Sequence, residues 1–156
     1  MLDQPTSPIV TEAQIAAVIH ITVPRDQIQQ VMGPAIQEVI AAATAQGIGP
    51  KGPVFAHLFG MTPGIFNFEV GVPVSSAVQP VGRVKPGEIP GTTIVRTVYT
   101  GPYEGLGEAW GDFQDIIESQ GHKLGPNLWE RYLSGPESSD ESATFRTELN
   151  QTIITP

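Results

Sequence analysis

The chain predicts an α+β fold in which two pseudo-symmetric strand-helix-strand-strand repeats pack as a mainly antiparallel sheet with two helices. Three observations carry this. Two stretches repeat apolar residues every three or four positions and stop at a glycine, the pattern of amphipathic helices. Each is flanked by runs dense in Val, Ile, Thr and aromatic residues, the pattern of strands. The halves also repeat: Gln46-Gly47 aligns with Gln120-Gly121, and the same offset of 74 residues lays Phe55-Ala56-His57-Leu58 over Trp129-Glu130-Arg131-Tyr132. Duplicated units of this kind usually pack with their helices related by a pseudo-twofold.

Element by element, Ile15 to Val23 alternates and reads as a strand closed by Pro24. Ile28, Val31, Met32, Ala35, Ile36, Val39, Ile40 and Ala43 form one apolar stripe with Gly47 as its stop. Gly33-Pro34 interrupts that stripe, so either the helix kinks there or its main part begins at Pro34. Val54 to Phe59 and Ile65 to Val74 read as strands around a turn at Gly60 to Gly64. Ser75 to Gly91, rich in Pro and Gly, reads as a connector. Thr92 to Thr100 resumes as a strand, and Leu106, Ala109, Trp110, Phe113, Ile116 and Ile117 make the buried stripe of a second helix ended by Gly121. Its acids, Glu104, Glu108, Asp112, Asp115 and Glu118, form a solvated face. Leu128 to Leu133 is a strand, Gly135 to Glu141 a polar loop, and Thr144 to Ile154 the last strand. The chain thus reads as a single domain over 1–156, with repeat one at about 9–74, the connector at 75–91 and repeat two at about 92–155.

A chain of 156 residues with 40% apolar content can bury one core. The net charge of −8, with eight scattered basic residues, argues against a direct nucleic-acid surface. There is no Cys, hence no disulfide, thiol nucleophile or thiolate metal site, and a reducing cytoplasm suits the chain. The start, Met1 to Ser7, has no leader pattern, and no apolar run approaches the ~18 residues of a membrane span. Cytoplasmic location, with no membrane partner, is the expectation.

Within Trp129-Glu130-Arg131-Tyr132, strand alternation puts Glu130 and Tyr132 on one face and Trp129 and Arg131 on the other. One carboxylate among rings suits an organic cation, because the acid supplies charge and the rings supply area and π-faces. The competing readings are a solvated edge-strand acid, or an ion pair in which Arg96 or Arg146 reaches Glu130 from a neighbouring strand. Where the second half has Glu130 the first has Ala56, and an acid needed for folding would be expected in both.

Three motifs together resemble the GyrI-like small-molecule-binding family, the effector-binding domain of AraC-type and MerR-type drug-responsive regulators. They are Phe68-Glu69-Val70-Gly71-Val72-Pro73-Val74, Tyr99-Thr100-Gly101-Pro102-Tyr103-Glu104-Gly105-Leu106 and Trp129-Glu130-Arg131-Tyr132-Leu133. The likeness runs from about Ile9 to Ile153. It implies an apolar, aromatic-lined central cleft that accepts flat or cationic drugs and toxins, with Glu130 at its base, Tyr132 lining it, and Tyr103 and Trp110 contributed by the second helix. Phe68, with Phe66, would supply the opposite wall. The short segment before Ile9 has no room for a helix-turn-helix, so the chain looks like a stand-alone member.

Stand-alone members resemble gyrase-inhibitor and drug-sequestering proteins, and some similar proteins hydrolyse cyclopropane-bearing toxins. In the hydrolase reading Glu130 is the catalytic acid or base, and Tyr132 or Tyr103 orients the ligand. The acidic face of the second helix gives a weaker, gyrase-inhibitor type of protein partner. No cofactor is expected, and the heme-binding proteins that share the fold are disfavoured, since nothing near the aromatics reads as an axial pair. His20, His57 and His122 lack metal-ligand spacing, so no metal is expected either. There is no Gly-x-Ser-x-Gly elbow, and Gly105-x-Gly107 reads as turn geometry or close packing rather than a dinucleotide loop.

Overall fold

The computed structural model describes residues 1–62, 64–134 and 141–154. Gly135 to Glu141, expected as a polar loop, falls almost wholly outside the described residues. The chain is α+β, with antiparallel strands and two helices, and forms two compact units: Glu12–Gly91, and Met1–Thr11 with the chain from Thr92 onward. Among the described residues, no helix is long and apolar enough to cross a membrane.

In the first-half unit, β2 (Gln14–Pro24), β3 (Phe55–Thr62), β4 (Ile65–Pro73) and β5 (Lys85–Ile89) lie in the order β3-β4-β2-β5, all antiparallel. The helix α1 (Ile28–Ala45) packs on β2 and β4. Its Ala35, Val39 and Ala43 are fully buried, as are Ile19, Phe55, Val70 and Val72 of the strands. Each large apolar side chain among them contributes about 1.5–3 kcal/mol on leaving water.

Of the two expectations at Gly33-Pro34, a helix starting at Pro34 is not what forms: α1 begins at Ile28 and runs through Pro34. Inside the helix the proline forgoes the bond its missing N–H would have made one turn back, and its ring crowds the carbonyl there. Much of the segment expected as a turn, Gly60 to Gly64, is strand instead, because β3 and β4 stay paired to Thr62 opposite Ile65 after a bulge between Leu58 and Gly60. The connector contains a strand, β5, paired with β2. Pro86 is tolerated there because β5 is an edge strand. A Cβ on Gly87 would meet Val18 at 2.6 Å, so the glycine lets the strand close on its neighbour.

In the second unit, β1 (Ile9–Val10), β6 (Thr93–Thr100), β7 (Lys123–Ser134) and β8 (Arg146–Ile154) lie in the order β1-β6-β8-β7. Ile9 and Val10 therefore pair with β6 rather than serving the first half. The helix α2 (Leu106–Ser119) covers a core of Val95, Tyr99, Ala109, Phe113, Ile117, Leu149 and Ile153, with Leu106 and Trp110 packed at its margin.

Both helices stop in the same way. Gly47, at φ 70°, donates to Thr44 O while Ile48 donates to Ala43 O; Gly121, at φ 89°, donates to Glu118 O while His122 donates to Ile117 O. These are paired Schellman closures, which need the left-handed backbone that glycine allows. They fall 74 residues apart, from 47 to 121, so the sequence repeat is also a repeat of backbone geometry.

Candidate functional site

On β7, Glu130 lies opposite Leu149 and Tyr132 opposite Thr147. Leu149 belongs to the core under α2, so strand alternation turns Glu130 and Tyr132 toward the helix. From α2, Trp110 Nε1 donates to Glu130 Oε1 at 2.7 Å; from its own strand, Tyr132 Oη donates to Oε2 at 2.8 Å. Both carboxylate oxygens are thus held by neutral aromatic donors. Tyr103, in the short 3-10 turn before α2, meets Tyr132 edge-on with ring centroids 6.0 Å apart. Phe145, just before β8, packs on Tyr103 at 5.2 Å, and Trp110 packs on Phe113 at 5.8 Å.

The start of α2 is shaped by Tyr99. Its hydroxyl donates to Pro102 O at 2.9 Å, and a Cβ on Gly101 or Gly105 would collide with that hydroxyl. Gly101 and Gly105 are therefore there for close packing, and they let the turn that carries Tyr103 sit down on the core.

Burial raises the pKa of Glu130 above its ordinary value, and the hydrogen bonds from Trp110 and Tyr132 offset only part of that rise. Burial also pushes the Tyr132 phenol well above its usual range, aided by the charge and hydrogen bond of Glu130 and by Tyr103. Tyr132 is consequently a fixed donor throughout the neutral range. Glu130, Tyr132, Tyr103 and Trp110 all remain half-buried rather than sealed.

Neither arginine expected as a possible partner makes an ion pair with Glu130 among the described residues. Arg96 instead bonds Asn150 Oδ1 at 2.7 Å and approaches Glu148 at 3.3 Å. Arg146 is exposed and lies opposite Ser134. The reading of Glu130 as a solvated edge acid is also corrected: β7 runs under α2, and the carboxylate is bonded on both oxygens. Arg131, on the other face as alternation requires, pairs with Glu148 at 3.1 Å.

Four of the five residues expected to bind a ligand, Glu130, Tyr132, Trp110 and Tyr103, come together in this unit. Phe68 lies on β4 of the first-half unit, 1% exposed, opposite Ile21 and Leu58. Phe145 was missing from the sequence reading, because its place beside Tyr103 depends on how β8 enters the sheet. His20 and His57, far apart in sequence, flank Phe59 with ring centroids at 6.1 and 4.4 Å, since both pair with Glu69. Among the described residues no group of His, Asp and Glu is arranged to hold a metal. The acids Glu104, Glu108, Asp112, Asp115 and Glu118 are all exposed to solvent.

The chain belongs to the GyrI-like small molecule binding domain family, whose model matches residues 7–150. No curated protein matches the chain in sequence. Among solved structures it resembles the C-terminal domain of EcmrR, with 21% identity, a TM-score of 0.83 and 98% of each chain covered. In the complex of EcmrR with DNA the identity is 20% and the TM-score 0.83; there the chain spans 58% of the regulator's length. A hydrolase from Listeria innocua shares 14% identity, with a TM-score of 0.62 and coverage of 97% of this chain and 92% of that one. SAV2435 bound to tetraphenylphosphonium shares 11%, with a TM-score of 0.61 and coverage of 95% and 93%. At these identities the likeness is one of fold.

Proposed function

We propose that this GyrI-like protein binds lipophilic, aromatic cations, with Glu130 supplying the charge and Tyr103, Trp110 and Tyr132 the ring surface. One observation carries the reading: the Glu130 carboxylate is partly buried among aromatics, with neutral donors on both oxygens and no cationic partner among the described residues. Such a group costs free energy to ionise in place, and an arriving organic cation offsets that cost. The donors keep the acid aimed while leaving its charge uncompensated. SAV2435, which shares the fold, carries a cation of this class in its solved structure. Phe68 has no part in this proposal. Calorimetric titration with tetraphenylphosphonium tests it: saturable one-to-one binding that weakens sharply in Glu130→Gln is the expected result, and binding indifferent to that substitution would sink it.

A second reading uses the same geometry for hydrolysis of strained, cyclopropane-bearing toxins. It is favoured by the raised proton affinity of Glu130 beside the Tyr132 phenol. A water oxygen would bond to one ring carbon as the ring C–C bond breaks, and a proton held by Glu130 would pass to the other carbon, the water's own proton restoring the acid. Mass spectrometry of such a compound incubated with the protein separates the two: gain of one water with turnover marks an enzyme, and saturable binding of an unchanged compound marks a sequestering protein.

A further inference from the structure

The face of β6, β8 and β7 opposite Glu130 carries a second polar cluster that the cation site does not use. Glu148, 10% exposed in its side chain, is shared by two guanidiniums: Arg96 Nε lies 3.3 Å and Arg131 Nη1 3.1 Å from the same oxygen, Oε1. Asn150 Nδ2 donates to that oxygen at 3.0 Å, and Asn150 Oδ1 accepts from Arg96 Nε at 2.7 Å. The strand register produces this, since Arg96 and Asn150 are paired across β6 and β8, and Arg131 and Glu148 across β7 and β8.

Among the described residues one carboxylate, Glu148, is paired with the two guanidiniums, so the cluster they form carries an excess of one positive charge in a chain of net charge −8. Its donors are also under-used. A guanidinium has five N–H groups in a rigid fork. Among the described residues, Arg96 commits only Nε and Arg131 only Nη1. Both Nη groups of Arg96 and the Nε and Nη2 of Arg131 are left over, and the two side chains remain 31% and 29% exposed. Glu148 and Asn150 fix both heads in place, so little rotamer entropy is left to lose when they bind something.

We propose that Arg96 and Arg131 form a binding site for a small oxyanion, the carboxylate or phosphate group of a small molecule, held by the spare edges of the two guanidinium forks with Glu148 and Asn150 as their anchor. Planar forks recognise such groups through paired charge-assisted hydrogen bonds. The site is independent of the cation site, because alternation puts Arg131 on the face away from Glu130 and Tyr132.

The test is a titration of the wild-type protein with inorganic phosphate and, separately, with succinate, at ionic strength held constant with chloride, followed by the side-chain ¹⁵N signals of Arg96 and Arg131. Saturable shifts of both residues are expected, and the tighter of the two anions identifies the class. Arg96→Lys and Arg131→Lys keep the charge beside Glu148 but remove the fork, and each should weaken binding at least fivefold; Glu130→Gln should leave it within twofold. Shifts that grow linearly and match those in chloride would overturn the proposal, as would affinity retained in both lysine variants. Should the lysine variants fail to fold, the wild-type titration decides alone. Anion binding lost in Glu130→Gln would overturn the independence of the two sites, whereas failure of cation binding alone would leave this site standing.

Discussion

Replacing Glu130 with Gln keeps the shape of the side chain and removes only its charge, so it isolates the electrostatic part of cation binding. In a lipophilic onium ion the charge is shielded by its substituents, which sets the closest approach to a carboxylate at ~6 Å. At the effective dielectric constant of about 20 suited to such sites, Coulomb attraction at that distance is ~2.8 kcal/mol. That corresponds to a loss of about 100-fold in affinity. A neutral phosphine oxide with the same rings should lose no more than about threefold, since only ring packing holds it. Quenching of Trp110, whose indole bonds the carboxylate at 2.7 Å, reads both titrations. Equal losses for the two ligands would refute the reasoning, because the charge would then be irrelevant.

The same acid fixes a pH signature. Burial raises the Glu130 pKa above the ordinary 4.5, and a cation binds the ionised form, so affinity should be full above the raised value and fall as pH drops through it. Stability runs in the opposite sense. A carboxyl whose folded pKa is raised holds its proton more tightly when folded, so its contribution is full below 4.5 and declines as pH rises through the folded value. In Glu130→Gln both slopes vanish. Wild-type cation affinity that stays flat from pH 8 to pH 4 would contradict the assignment.

Three further outcomes follow from the same structure. Trp110→Phe removes the donor to Oε1 but keeps a ring, so the Glu130 pKa should climb further, read from its side-chain carboxyl ¹³C titration, with a stability loss of about 1.5–3 kcal/mol where the acid is ionised. Gly71→Ala drives a Cβ into the backbone oxygen of Ala17 and should cost about 1–3 kcal/mol. Gly111→Ala, on an α2 position with nothing within 4 Å, should instead gain about 0.5–1 kcal/mol in urea unfolding.

What could be read in advance divides along physical lines. The helices were legible because a 3.6-residue stripe and a glycine stop are local signals, and Ala109, Phe113 and Ile117 are buried as the stripe requires. The sides taken by Glu130 and Arg131 were legible because alternation has a fixed period. β5 was not, because Pro86 and Gly87 erase the strand signal and only the approach of Val18 explains the glycine. Phe145 was not, because it meets Tyr103 through the docking of distant elements. The Arg96, Arg131 and Glu148 cluster exists only once three strands are in register. The donors of Glu130 were half legible: Trp110 and Tyr132 were named as pocket residues, but that they cap the acid depends on where α2 rests.

The repeat explains why the acid occurs once. At the offset that matches Ala56 to Glu130, Trp110 corresponds to Ile36 and Tyr132 to Leu58, so the first half lacks the acid and both of its donors together. Ala56 is 3% exposed opposite Val70, a position with no provision for a charge. Ala56→Glu should therefore cost about 3–5 kcal/mol near neutral pH, the penalty of a buried uncompensated charge. The cost should shrink on acidification, as the carboxyl takes up a proton. Adding Ile36→Trp and Leu58→Tyr supplies an indole N–H and a phenol O–H at the repeat-equivalent positions, and the pH-dependent part of the penalty should then decrease even if the larger side chains lower overall stability. Urea unfolding of the single and triple variants at pH 5 and pH 8 measures it. An unchanged pH slope in the triple variant would mean that the donors beside Glu130 do not hold its charge, and that the duplication of the frame does not extend to its chemistry.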